Sequence, residues 1–143
     1  IMRILSLDVG EKRVGVAFAD TAVKIAVPQE MIPVDGEELA NIAKVCRLKN
    51  VDTLVVGNPR NSKGEETKQT EFVRQFVDKI RAFFDQKGQN LPKIFFQDES
   101  LTSVQAESNL SRRKELSRRD RAEGIVDSEA AAIILQDYLE SLN

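Results

Sequence analysis

Seven residues from the start of the chain, Arg3-Ile4-Leu5-Ser6-Leu7-Asp8-Val9, are mostly apolar and end on a carboxylate and Gly10. A second apolar run, Val14-Gly15-Val16-Ala17-Phe18-Ala19, follows after Glu11-Lys12-Arg13. The pattern predicts two strands, 2–9 and 14–19, joined by a tight turn and therefore antiparallel. A third strand is expected within Val23 to Val34, broken at Pro28. Pro28 and Pro33 place it at a sheet edge, where a missing N–H does no harm. Leu39, Ile42, Ala43 and Cys46 recur at helical spacing and predict a helix over 37–48. Thr53-Leu54-Val55-Val56-Gly57 is continuous enough to be a buried central strand.

Ser62 and Glu65 have capping-box spacing and predict that a long helix opens there and runs to about Phe84. Phe72, Val73, Phe76, Val77, Ile80, Phe83 and Phe84 form its apolar stripe. Lys93-Ile94-Phe95-Phe96-Gln97 is the next strand, and it runs into Asp98 and Glu99. Thr102 and Gln105 form a second capping box, predicting a short helix to about Leu110. Ser111 to Glu123 is polar and reads as a loop. Asp127 and Ser128 open a last helix lined by Ala131, Ile134, Leu135, Tyr138 and Leu142. Helices between the later strands make those connections parallel crossovers. The expected product is one α/β domain over residues 1–143, a mixed sheet with helices on its faces. Ligands of such sheets bind beyond the carboxyl ends of the parallel strands.

The acids gather at that address. Asp8 ends the first strand, Asp98 and Glu99 end the last, and Asp127 stands at the start of the final helix. Each has a plain structural alternative: Asp8 as a turn former, Asp127 as a helix cap, Asp98 as the cap of the segment before Thr102. Converging carboxylates repel one another and call for cations between them. Mg²⁺ takes hard oxygen ligands, and two such ions about 4 Å apart can activate a water and stabilise the leaving oxygen of a phosphodiester.

Composition narrows the chemistry. The 143 residues hold no histidine, one cysteine and no tryptophan. Ser-His-Asp and Cys-His catalysis and imidazole zinc sites are excluded. Cys46 lies on the apolar helical stripe and reads as core rather than nucleophile. A lone cysteine, the absence of an apolar run of about 18 residues, and an N-terminus unlike a signal peptide lead to the expectation of a cytoplasmic protein without membrane partners. Ile1 precedes Met2, so the native start is expected at Met2.

The net charge of −2 hides a local excess. Between Ser111 and Glu123 stand Arg112, Arg113, Lys114, Arg118, Arg119 and Arg121, against Glu115, Asp120 and Glu123. This segment is a candidate phosphate-contacting arm, with a solvated charged loop as the alternative. Lys12, Arg13 and Arg60 fall in loops expected at the same edge and would extend the patch. Aromatic residues fall mostly in the core, so base stacking is not the expected binding mode.

Four motifs, in order, carry a family resemblance. They are Asp8-Val9-Gly10 with Arg13-Val14-Gly15-Val16-Ala17; Val56-Gly57-Asn58-Pro59; Asp98-Glu99-Ser100-Leu101-Thr102; and Val126-Asp127-Ser128 with Ala130-Ala131. From Met2 to about Leu139 the chain resembles the bacterial YqgF family. Those proteins are ribonuclease H-like, with sheet order 3-2-1-4-5, and are described as Holliday junction resolvases and as nucleases maturing pre-16S ribosomal RNA. The resemblance implies that Asp8, Glu99 and Asp127 are the catalytic, metal-binding acids, with Asp98 a fourth or outer acid and Mg²⁺ or Mn²⁺ the cofactor. It implies pre-ribosomal RNA as substrate, with branched DNA as the alternative. Two positions depart from the family pattern: Ser100 stands where Arg is common, and Asn58 where Leu is common. The turn at Asp8 also resembles the phosphate loops of actin-like kinases, which need two such lobes. A non-catalytic RNA-binding or nucleotide-binding module is therefore the rival of another class. With its apolar stripes committed to covering the sheet, the chain is expected to be a monomer or weak dimer.

Overall fold

In a computed structural model the described residues are 1–99 and 128–143. The first two strands, β1 (Arg3–Val9) and β2 (Arg13–Asp20), form the antiparallel hairpin, with Asp8 opposite Gly15. The expected third strand is two fragments, β3 (Val27–Pro28) and β4 (Ile32–Pro33), both antiparallel to β2. After α1 (Glu38–Leu48), β5 (Thr53–Asn58) pairs parallel to β1. Beyond α2 (Lys68–Lys87), β6 (Lys93–Asp98) pairs parallel to β5. The last helix is α3 (Glu129–Ser141). The sheet order is β3-β2-β1-β5-β6, with β4 also on β2. Counting the two edge fragments as one strand recovers the order 3-2-1-4-5.

Alternation sorts the side chains to two cores. Leu5, Leu7, Val14, Val16, Leu54 and Val56 pack with Ile42, Cys46, Val73, Phe76, Ile80 and Phe84 from α1 and α2. Ile4, Ala17, Ala19 and Val55 pack on the other face against Ala131, Ile134, Leu135, Tyr138 and Leu139 of α3. Helices thus cover both faces, as expected. Cys46 is core, and burial pushes its thiol up to about 12. Among the described residues, no helix is long and apolar enough to cross a membrane.

Two local expectations are corrected. Helix α2 opens at Thr67, not near Ser62: Thr67 Oγ1 accepts from the Thr70 amide, and Thr70 Oγ1 accepts from the Thr67 amide. Gly64, at φ +76°, cannot lie in a right-handed helix. Asn61 instead organises a turn, its Oδ1 accepting from the amides of Lys63 and Glu65. Leu142 caps α3 and is exposed, while Leu139 takes the core position. The break expected in the edge strand falls directly after Pro28. β3 pairs with Ala17 and Phe18, and β4 with Arg13 and Val14, so Val16 falls between them. The Val16 amide donates to Ser128 Oγ at 3.0 Å, and its carbonyl accepts from Gln29. The expected helix after Thr102 and the loop from Ser111 to Glu123 lie outside the described residues.

Candidate active site

The site lies at the carboxyl ends of β1 and β5, where a cavity of about 290 Å³ is lined by Asp8, Gly57, Arg60, Gln69 and Glu99 among others. Asp8 reaches it because residues 4, 6 and 8 share one face of β1. Ile4 is buried against α3 and Ser6 Oγ donates to the carbonyl of Ala131, so alternation puts Asp8 at the α3 side of the strand end. Opposite Asp8, the missing side chain of Gly15 leaves room for the start of α3: a methyl there would stand 3.4 Å from Asp8 Cβ and 3.6 Å from Ala131 Cβ.

Glu99 arrives from the other side. Its amide donates to the carbonyl of Asn58 at 3.1 Å, carrying the β5–β6 ladder one step past the end of β6. Its carboxylate then lies over the backbone of Gly57, where a methyl would come within 2.8 Å of Glu99 Oε2. Both half-buried acids therefore line one cavity.

Asp98 goes elsewhere. It pairs across the ladder with Asn58, on the face opposite Glu99. Its Oδ1 accepts from Asn58 Nδ2 at 2.9 Å and from Arg60 Nε at 3.1 Å. These donors, Asn58 first, hold the Asp98 carboxyl below its ordinary range against a smaller opposing effect of desolvation. Arg60 also donates through Nη1 to the carbonyl of Gly64 and lines the cavity.

Lys12 and Arg13 are exposed at the turn between β1 and β2, at the same end of the sheet. Asp127, Arg112, Arg113, Lys114, Arg118, Arg119 and Arg121 lie outside the described residues. Among the described residues no cluster of three or more metal-ligating side chains occurs. The pair that is present, two carboxylates with no sulfur or imidazole beside them, is a hard-oxygen set and fits a divalent cation such as Mg²⁺ in donor chemistry.

The RuvX family model, described as Holliday junction resolvase, matches residues 2–141. The chain belongs to the RuvX family. It is 40% identical over 140 residues to a Chloroflexus aggregans protein, covering 96% of this chain and 93% of that one. It is 37% identical over 145 residues to one from Streptococcus thermophilus, covering 99% of both. Each is provisionally named a pre-16S rRNA nuclease. The resemblance read from the four motifs thus holds across nearly the whole chain. Among solved structures, the fowlpox virus resolvase with Holliday junction DNA aligns at a TM-score of 0.57 and 16% identity, covering 99% of both chains. T. thermophilus RuvC with a Holliday junction substrate aligns at 0.53 and 13%, covering 99% of this chain and 95% of that one. These two alignments show that this chain shares the fold of those resolvases.

Sequence reasoning missed two parts of the RuvX site. Gln69 lines the cavity from the first turn of α2, with its amide 3.5 Å from the carbonyl of Val9. An uncharged side chain on a helix gives no motif to find it by, and the misplaced helix start hid that it lies in a first turn. Gly57 carries the Glu99 carboxylate, a role visible only once β5 and β6 are in register.

Proposed function

We propose that this RuvX-family enzyme is a divalent-metal-dependent nuclease that trims precursor 16S ribosomal RNA. One observation carries the reading: Asp8 and Glu99, ninety-one positions apart in sequence by their numbering, line one cavity at the carboxyl ends of the parallel strands β1, β5 and β6. The names of the relatives favour the ribosomal precursor.

Asp8 and Glu99 would hold the metal, with Asp127 as third acid. Ser128, its neighbour in the chain, is anchored to β2 next to Gly15, the residue paired with Asp8; this supports the assignment. When bound, Mg²⁺ or Mn²⁺ supplies Lewis-acid chemistry at a scissile phosphodiester. The chain's own residues do the rest. Asp8 and Glu99 are fixed by strand ends rather than loops, so their carboxylates are oriented before any ligand arrives. Lys12, Arg13 and Arg60, with the basic residues from Arg112 to Arg121, would neutralise the phosphates that the acids repel. A protein of this chemistry belongs in the cytoplasm, where ribosomal precursors are.

The family's description favours a second reading, cleavage of a four-way DNA junction. That reaction needs two sites related by a two-fold axis, and so a dimer with a stable interface. The test is cleavage by the purified protein, with Mg²⁺ or Mn²⁺, of precursor ribosomal RNA, plain single-stranded RNA and a four-way DNA junction. Sedimentation equilibrium is measured in parallel. Trimming of the precursor by a monomer or weak dimer is expected. Symmetric junction cuts by a tight dimer would establish the second reading, and no cleavage of any substrate would refute both.

A further inference from the structure

The loop from Pro59 to Glu66 is built to present one guanidinium. Its first carbonyl, that of Pro59, accepts from Thr70 Oγ1 at 2.5 Å, tying it to the first turn of α2. The Asn61 side chain gathers the amides of Lys63 and Glu65, the Asn61 amide donates to the carbonyl of Glu65, and the Gly64 amide donates to the carbonyl of Asn61. Arg60 is held within that frame from two directions, by Asp98 through Nε and by Gly64 through Nη1. Only 26% of its side chain is exposed, little for an arginine in a surface loop. Asp98 is held in turn by the buried amide of Asn58.

A guanidinium has five N–H donors in a rigid fork. Nε and one hydrogen on Nη1 are committed, and Nη2 has no acceptor among the described residues. Arg60 therefore keeps donors for an anion at a cavity whose other charged walls, among the described residues, are Asp8 and Glu99. A cation fixed beside two acids suits a substrate phosphate: it attracts the anion at a place where the acids alone would repel it. An unconstrained lysine or arginine would supply the charge without the direction.

We propose that Arg60 is a phosphate-binding residue of this site and that Asp98 is its positioning residue rather than a metal ligand. The inference rests on the nuclease reading. It makes the neighbours Asp98 and Glu99 do different work, one orienting the cation that receives substrate and the other facing the cavity from the opposite face of the sheet. Asn58 extends the chain of support by one hydrogen bond. Arg60 and Asp98 act in series, so their removal must not add.

The experiment is a double-mutant cycle over Arg60→Ala and Asp98→Ala, with Arg60→Lys and Asp98→Asn as milder variants and circular dichroism to verify folding. Binding of a labelled single-stranded RNA is measured in chelator across a salt series, and Mn²⁺ alone is titrated calorimetrically. Arg60→Ala should weaken RNA binding about 10- to 100-fold, the scale of a lost charge-assisted hydrogen bond pair. It should flatten the slope of log affinity against log salt by about 0.7. Arg60→Lys should keep the slope and lose part of the affinity. Asp98→Ala should weaken binding less, keep the slope and leave Mn²⁺ affinity unchanged, and the double variant should match Arg60→Ala. Additive losses, or a fall in Mn²⁺ affinity on Asp98→Ala or Asp98→Asn, would overturn the positioning role. Unchanged RNA binding in folded Arg60→Ala would overturn the phosphate contact while leaving the nuclease reading in place. A wild-type protein that binds no RNA in chelator or in Mn²⁺ would overturn both.

Discussion

The carboxylate of Glu99 lies on the backbone of Gly57. A methyl at position 57 would stand 2.8 Å from Glu99 Oε2 and 2.6 Å from Ile134 Cδ1. No carbon tolerates such contacts, so both neighbours must move. Both atoms are the far ends of flexible side chains, and the backbone around them need not shift. Gly57→Ala should therefore cost only about 1–3 kcal/mol of stability, an ordinary overpacking penalty. Its effect on cleavage should be far larger, because Glu99 is displaced from the cavity it shares with Asp8. Urea unfolding and cleavage rates measured on the same preparation would check the split. A variant that retains its activity would show that Glu99 need not sit over Gly57.

Asp8 tests the same cavity from β1. Asp8→Asn keeps the side-chain volume and removes a negative charge from a cavity that also holds Glu99. Cleavage should fall to background with any divalent metal. Stability should stay within about 1 kcal/mol of wild type, since relief of repulsion between the acids offsets lost charge-assisted bonding. Cleavage at the wild-type rate would assign Asp8 to the turn alone.

Two buried hydroxyls attach α3 to the sheet, and they should not be equivalent. Ser128 Oγ accepts from the Val16 amide, a group left between β3 and β4 by the broken edge strand. Ser128→Ala strands that buried donor and should cost about 1–3 kcal/mol. Ser6 Oγ donates to the carbonyl of Ala131, which lies inside the α3 helix and can still accept from the helix backbone. Ser6→Ala should cost nearer 1 kcal/mol, the net value of one ordinary hydrogen bond. Chemical denaturation of the two variants would give the order, and equal costs would show that Val16 finds another acceptor.

The strands were legible because a sheet covered on both faces calls for nearly continuous apolar runs, and the position of Asp8 followed from the end of the first run. Asp98 and Glu99 were harder. Adjacent residues at a strand end face opposite ways, and a slip of one residue exchanges them, so the strand pattern names the pair without ranking it, and only the family resemblance singled out Glu99. Register with β5 decides it: Asp98 falls opposite Asn58, and Glu99 passes the end of the ladder. The start of α2 was misread for a local reason. Ser62 and Glu65 have the spacing of a cap, but Gly64 between them takes a left-handed conformation, and the Asn61 side chain competes for the same amides. Leu142 and Leu139 were exchanged because helical periodicity loses its meaning at the last turn, where the core ends before the helix does. Arg60 was picked out for its charge. That it is oriented by Asp98 depends on contacts made across two loops, which no pattern in the sequence records.

Cys46 supplies a readout of folding that is independent of the site. The thiol is buried in the core under α1 and α2, and desolvation pushes its pKa from 9.0 up to about 12. A neutral, enclosed thiol does not react with alkylating agents, so native protein at pH 8 should resist iodoacetamide and unfolded protein should label rapidly. The pKa difference also ties stability to pH. The folded pKa is raised, so its contribution is complete below 9, where both states hold the proton, and is lost as pH climbs from 9 towards 12. At pH 10 the unfolded chain has released this proton and the folded chain has not, which favours unfolding by roughly 1.4 kcal/mol. Cys46→Ala lacks the group and should escape that loss. The gap in unfolding free energy between wild type and Cys46→Ala should therefore shrink by about that amount between pH 8 and pH 10. A gap that stays constant, or rapid labelling of the native protein, would show that solvent reaches Cys46 without global unfolding.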